Sequence, residues 1–282
     1  MPVSFFDEFR VPPQAQVRLA DFDPDDTHLA ETKKKAKAAH IVDLEAIAAL
    51  QYALYAEGRQ SLLICLQAPD AAGKDGTIRG LSPALNPQGC HVVSFKKPSE
   101  IEQSHDFLWR IHPHVPRRGG ISIFNRSHYE DVLVVRVKEL VPEPVWRARY
   151  DQINAFETLL AEQGTKILKI YLWINEAEQL ERFAKRLDNP AKQWKISTAD
   201  YTERDRWGDY VDAYEEIFAR CSPEHAPWFV VPANKKWYRN FVVARIIREQ
   251  LEAMAMEIPK PSVDIADIRK RYHAEVREAA EA

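Results

Sequence analysis

The chain has 282 residues, 45% of them hydrophobic and 10% aromatic, and at this size folding removes roughly 75% of the unfolded surface from water. Intrinsic disorder and collagen-like structure are excluded on that composition. Lys and Arg number 39 against 42 Asp and Glu, a formal net charge of −3, which excludes whole-molecule attraction to nucleic acid or anionic lipid.

Residues 1–30 carry Pro12, Pro13 and Pro24 with Asp21, Asp23, Asp25 and Asp26 and no clear periodicity, so an extended arm on the surface is expected. Apolar residues at Ile41, Leu44, Ile47, Leu50 and Leu54 predict a helix over Lys33–Glu57, stopped by Gly58. The continuous apolar run Ser61–Leu66 reads as a strand buried on both faces of a parallel sheet. Further strands are predicted at His91–Phe95, Ile121–Phe124, Ile167–Ile174 and Trp228–Val231. Helices are predicted at Thr77–Leu85, Ile101–His112, Val145–Gln163, Glu176–Leu187, Ala199–Ala219 and Trp237–Met256. About five strands alternating with helices imply a doubly wound parallel sheet, with ligands beyond the carboxyl ends of its strands. Residues 31–260 form one domain on this reading, and 261–282 an exposed helical tail.

Cys65, Cys90 and Cys221 are odd in number and far apart, which points away from a disulfide framework or zinc site and toward the reduced cytoplasm. No basic stretch and apolar run open the chain, so no signal peptide is expected. No apolar stretch approaches the roughly 20 residues of a membrane span.

Three segments carry chemistry. The predicted strand 61–67 runs into Ala68-Pro69-Asp70-Ala71-Ala72-Gly73-Lys74-Asp75-Gly76-Thr77, close to the phosphate-binding pattern in which backbone N–H groups, a helix start and a lysine surround phosphate oxygens. Ala68 replaces the first glycine, and Asp75 replaces the metal-holding hydroxyl, so another oxygen must hold magnesium, with Asp70 the candidate. The third strand ends in Asn125-Arg126, where such proteins have an acidic residue. The Asn125 amide brings no charge, whereas Arg126 is suited to bidentate phosphate binding. Arg182 and Arg186 lie four apart on a helix, followed by Lys192 and Lys195 in a proline-marked loop. These cations are expected to close over a polyphosphate and stabilise the moving phosphoryl group. Lys96, Lys97, Arg110, Arg117 and Arg118 lie near predicted strand ends, as a channel for an extended anion requires.

In this order, D-A-A-G-K-D-G-T at 70–77, F-N-R-S-H-Y-E-D-V-L at 124–133 and R-L-D-N-P-A-K-Q-W-K-I-S at 186–197 resemble polyphosphate kinase family 2, over about residues 30–260. The resemblance implies a three-layer α/β/α phosphate-loop kinase fold, similar to thymidylate kinase, with a helical lid at about 178–210. It implies Mg²⁺-dependent phosphoryl transfer between inorganic polyphosphate and nucleotides, with Mn²⁺ as a substitute metal. Asp70 would bind the metal, Lys74 the transferred phosphate and Arg126 the nucleotide phosphate, with Arg182 as the fourth catalytic residue. Ala71, Ala72, Gly73, Asp75, Gly76, Thr77 and Arg79 would join Lys96, Lys97, Arg117, Arg118, Asn125, His128, Glu130, Arg186, Lys192 and Lys195 in binding substrates. His128 receives no general-base role, because an acceptor phosphate oxygen is already ionised. The segment 125–131 looks more like the subgroup acting on both AMP and ADP than the diphosphate-only one, and guanine nucleotides stand beside AMP, ADP and ATP among the expected partners. A homo-oligomer, dimer or tetramer, is expected, without nucleic-acid or membrane partners. The alternatives are a diphosphate-only polyphosphate kinase, an ATP-dependent nucleotide kinase, which would want Gly at 68 and Ser or Thr at 75, and a non-catalytic nucleotide-binding regulator.

Overall fold

In the computed structural model, which describes residues 3–281, the apolar runs form five strands: β1 (Ser61–Gln67), β2 (Cys90–Ser94), β3 (Ile121–Asn125), β4 (Thr165–Trp173) and β5 (Trp228–Pro232). All neighbours pair in parallel, in the order β2-β3-β1-β4-β5. The chain therefore leaves central β1 for the far edge, returns beside β1 as β3, and then crosses to the other side. Every residue of β1 is buried, because helices cover both faces of the sheet.

Alternate side chains of a strand point to opposite faces, and the core divides accordingly. Leu62, Ile64, Leu66, Ile170 and Leu172 pack with residues of α1 (Phe5–Phe9), α2 (Lys33–Glu57), α3 (Lys74–Leu81) and α10 (Lys236–Ala253). Leu63, Cys65 and Tyr171 face the other layer, built from α5 (Glu130–Val137), α6 (Glu143–Glu162) and α9 (Trp207–Arg220). Buried Asp43 of α2 is bound by Arg245 and Arg248 of α10 at 2.9 and 3.0 Å, which ties the two long helices together.

Several elements differ from expectation. The N-terminal arm is not merely extended: α1 buries Phe5 and Phe9, Phe5 meets Phe241 edge-on at 5.1 Å, and Arg10 bridges antiparallel to Phe229. Its apolar residues outweigh its prolines and acids. The predicted helix Ile101–His112 shrinks to α4 (Glu100–Gln103), because Ser104 and Asp106 bond local backbone instead of continuing it. Helix α3 ends at Leu81, where Ser82-Pro83-Ala84 tightens into a 3-10 turn. The predicted helix Ala199–Ala219 is two, α8 (Thr198–Arg204) and α9, after α7 (Glu176–Leu187). Helix α5, rich in valine, had no helical signature, and burial of Val132, Leu133 and Val137 decides it. Beyond Pro261, α11 (Ile265–Glu281) stands with its described side chains exposed.

Candidate active site

At the carboxyl edge, the neighbouring ends of β1 and β3 place two loops side by side, with Leu66 paired to Asn125. The first, Ala68–Gly73, leads into α3. Gly73 caps α3 at φ 109°, and Ala71 is left-handed at φ 64°. A Cβ on Gly73 would lie 2.0 Å from Arg239 Nη1, so a side chain there would collide with a buried guanidinium as well as strain the backbone. Lys74 Nζ donates to Ala68 O at 2.8 Å, folding the ammonium back over the loop. Burial lowers the Lys74 ammonium below its usual range, against the pull of Asp70, Glu130 and Asp75.

The second loop begins with Arg126, left-handed at φ 63°, a conformation costing about 1–2 kcal/mol for a side-chain-bearing residue. Its amide bonds Leu66 O at 3.0 Å and its guanidinium donates to Asp70 Oδ1 at 3.1 Å. Asn125 Nδ2 donates to Asp75 Oδ1 at 2.9 Å, and Lys195 Nζ reaches Asp75 Oδ2 at 3.2 Å. Burial would raise the Asp75 carboxyl, but these hydrogen bonds and the nearby Lys195 and Lys74 charges hold it below its usual range. The carboxylate in place of the metal-holding hydroxyl is thus the tie between α3, β3 and the 188–197 loop. Glu130 follows at the start of α5, its carboxyl pushed up by burial despite Arg126 and Lys74.

Behind the first loop sit two arginines. Arg182, 5% exposed, donates to the carbonyls of Ala71, Ala72, Ala233 and Asn234 and to Glu178. All five of its N–H donors are thereby engaged, so the arginine expected to be catalytic braces the loop from behind in this structure. Arg239, 2% exposed, shares the Ala72 carbonyl at 3.1 Å, and burial together with the Arg182 charge pulls it down to about 10. The Ala71 and Ala72 carbonyls are thereby held toward the arginines, while the Ala72 amide closes the loop onto Pro69 O at 3.2 Å. Arg239 escaped sequence reasoning because it lies far along the chain, one of several charged residues on α10.

Other expected site residues divide by position. Lys96 and Lys97 follow β2 at the carboxyl edge and are exposed, as is Arg79 on α3. Arg186 donates to Lys195 O at 3.2 Å and pairs with Asp200 at 3.6 Å, so it shapes the 188–197 loop, where Lys192 is exposed. Arg117 and Arg118 are corrected: they precede β3, and Gly119 next to them bonds Gln60 before β1. Parallel strands put that end across the sheet from the phosphate loop. His128 is also corrected, being fully buried beneath the second loop and bonded to Glu157 at 3.1 Å.

The oxygen set suits a hard cation that borrows ligands. Among the described residues no group of three or more His, Cys, Asp or Glu is arranged to cage a metal. Asp70, with one carboxylate oxygen on Arg126 and the other free of hydrogen bonds to the described residues, fits an ion such as Mg²⁺, which keeps waters and takes substrate phosphates. Among the described residues, no helix is long and apolar enough to cross a membrane.

Comparison with known proteins places this geometry in a family. Residues 30–259 match the family model described as polyphosphate kinase 2. The chain is 50% identical over 255 residues to the AMP/ADP-polyphosphate phosphotransferase of Meiothermus ruber, covering 90% of this chain and 96% of that one. It is 41% identical over 265 residues to the ADP-polyphosphate phosphotransferase of Rhodopseudomonas palustris, covering 90% and 92%. The crystal structure of polyphosphate kinase 2 from Arthrobacter aurescens TC1 superposes with a TM-score of 0.93 at 41% identity, over 97% of this chain and 98% of that one. With strand order, phosphate loop and family model in agreement, this chain belongs to the polyphosphate kinase 2 family.

Proposed function

We propose that this chain transfers phosphoryl groups between inorganic polyphosphate and both AMP and ADP. The observation carrying this reading is the direct joining of the two loops, with Lys74, Asp70 and Arg126 converging at the ends of β1 and β3. The 50% identical AMP/ADP-polyphosphate phosphotransferase supports the choice of acceptors. A cytoplasmic setting, consistent with the free thiols Cys65, Cys90 and Cys221, belongs to the same proposal.

In this reading the loop N–H groups and Lys74 bind the phosphoryl group being transferred, and Arg126 aligns the nucleotide phosphate. Asp70 and phosphate oxygens would hold Mg²⁺, which supplies charge neutralisation. Transfer is in line and needs no general base, because the acceptor oxygen is already anionic. Positioning and electrostatics therefore supply most of the rate. Within the segment 178–210 expected as a lid, α7 is anchored behind the loop by Arg182, and the part that closes is the 188–197 loop, where Lys195 touches the site through Asp75 and Lys192 is exposed.

Incubating the protein with AMP or ADP, long-chain polyphosphate and Mg²⁺ is expected to yield ADP and ATP. Asp70→Asn and Lys74→Ala should each lower turnover by at least about a hundredfold. Product with ATP as donor and none with polyphosphate would establish an ATP-dependent nucleotide kinase instead.

A further inference from the structure

A charged cluster lies in the layer between the sheet and helices α6 and α9, outside the site just described. Lys169 of β4 and Glu157 of α6 are both fully buried and 2.5 Å apart. Lys169 also donates to Tyr129 Oη at 2.9 Å and to Cys221 O at 2.7 Å, which uses all three ammonium protons. The rings of Tyr129 and Trp228 lie 5.2 and 5.6 Å from the ammonium. The other Glu157 oxygen accepts from Tyr129 Oη at 3.0 Å and from His128 Nε2 at 3.1 Å. Because that oxygen only accepts, His128 carries its proton on Nε2.

Stability alone does not account for this arrangement. An apolar set of similar volume fills such a layer without desolvating charges, and replacing a buried ion pair that way is often neutral or stabilising. What the cluster does contribute is fixed geometry for the second loop. His128 and Tyr129 follow Arg126 by two and three residues and directly precede Glu130. Arg126 holds a left-handed backbone, and such strain persists only where the surroundings over-determine it. Among the described residues no hydrogen bond of Lys169, Glu157, Tyr129 or His128 reaches the first loop; the Arg126–Asp70 contact is the link between the loops, and the first loop is braced from behind by Arg182 and Arg239.

We propose that the buried Lys169–Glu157 pair, acting through Tyr129 and His128, is the positioning element for Arg126 and Glu130 and so governs the nucleotide side of the site more strongly than the polyphosphate side, which it reaches only through the Arg126–Asp70 contact. The inference rests on the assignment of Arg126 to the nucleotide phosphate.

Two variants test it: Tyr129→Phe, which keeps the ring and removes one hydroxyl, and the neutral double variant Glu157→Gln/Lys169→Met. Each is compared with wild type well below its own melting temperature, with nucleotide and polyphosphate varied in turn. The expected result is a loss of at least about tenfold in kcat/KM for the nucleotide, with KM for polyphosphate within about twofold. Calorimetric affinities for ADP and for polyphosphate should show the same one-sided loss. Equal loss on both sides, or none on the nucleotide side, would overturn the inference. If the double variant does not fold, Tyr129→Phe decides alone. A wild type inactive with polyphosphate would sink the proposed reaction, while the calorimetric comparison would still judge the positioning role.

Discussion

Two side chains show how the site is set residue by residue. Gly73 is confined by its left-handed backbone on one side and by Arg239 on the other, so the glycine of the phosphate loop and an arginine 166 positions later form one device. Glu130 sits in an environment that resists its charge, burial outweighing Arg126 and Lys74. A carboxyl whose value is raised in the folded state favours folding below its ordinary value of 4.5 and opposes it once pH rises through the raised value. Glu130→Gln is therefore expected to raise the melting temperature near about pH 7, with the gain fading as pH falls through the raised value and gone below the ordinary one. Thermal melts across pH check this, and a variant less stable than wild type at neutral pH would contradict it. Asp70, Lys74 and Arg126 were legible in the sequence because their spacing within short motifs is local. Lys169, Glu157 and Arg239 were not, although a lysine within the apolar run Ile167–Ile174 was a signal that the strand carried more than packing.

At the scale of elements, periodicity located long helices well and short ones poorly. Helix α2 was legible from its repeating apolar positions and Gly58, which caps it at φ 64°. Helix α5 was not, since its valines favour strands in isolation and only the layer it packs into makes it helical. The predicted helix at 101–112 failed for the opposite reason, because its side chains bond nearby backbone. Helix α11 contributes no buried side chain among its described residues. Deleting residues 262–282 should accordingly leave the melting temperature of the remaining chain within about 2 °C of wild type. Differential scanning calorimetry would expose a larger loss, which would mean that the helix has a packing partner.

For the whole molecule, the question raised by a net charge of −3 is one of placement. Lys74, Lys96, Lys97, Arg126 and Lys195 gather at the carboxyl edge of the sheet, and Arg117 and Arg118 sit at the opposite edge. Exposed cations such as Lys96 and Lys97 are screened by salt, so KM for polyphosphate should rise several-fold between about 0.05 and 0.2 M salt. Arg117→Ala/Arg118→Ala should leave that KM unchanged, and a rise matching that of a Lys96→Ala/Lys97→Ala variant would put polyphosphate on the wrong edge. The sequence by itself determined the alternation of strands and helices, the phosphate loop and the family, because each is written in residues close along the chain. Only the tertiary structure decided which cations share an edge, which arginines brace the loop from behind, and which charges are buried beneath it. Those outcomes depend on parallel pairing between strands far apart in sequence, which sends the residues before and after a strand to opposite ends of the sheet.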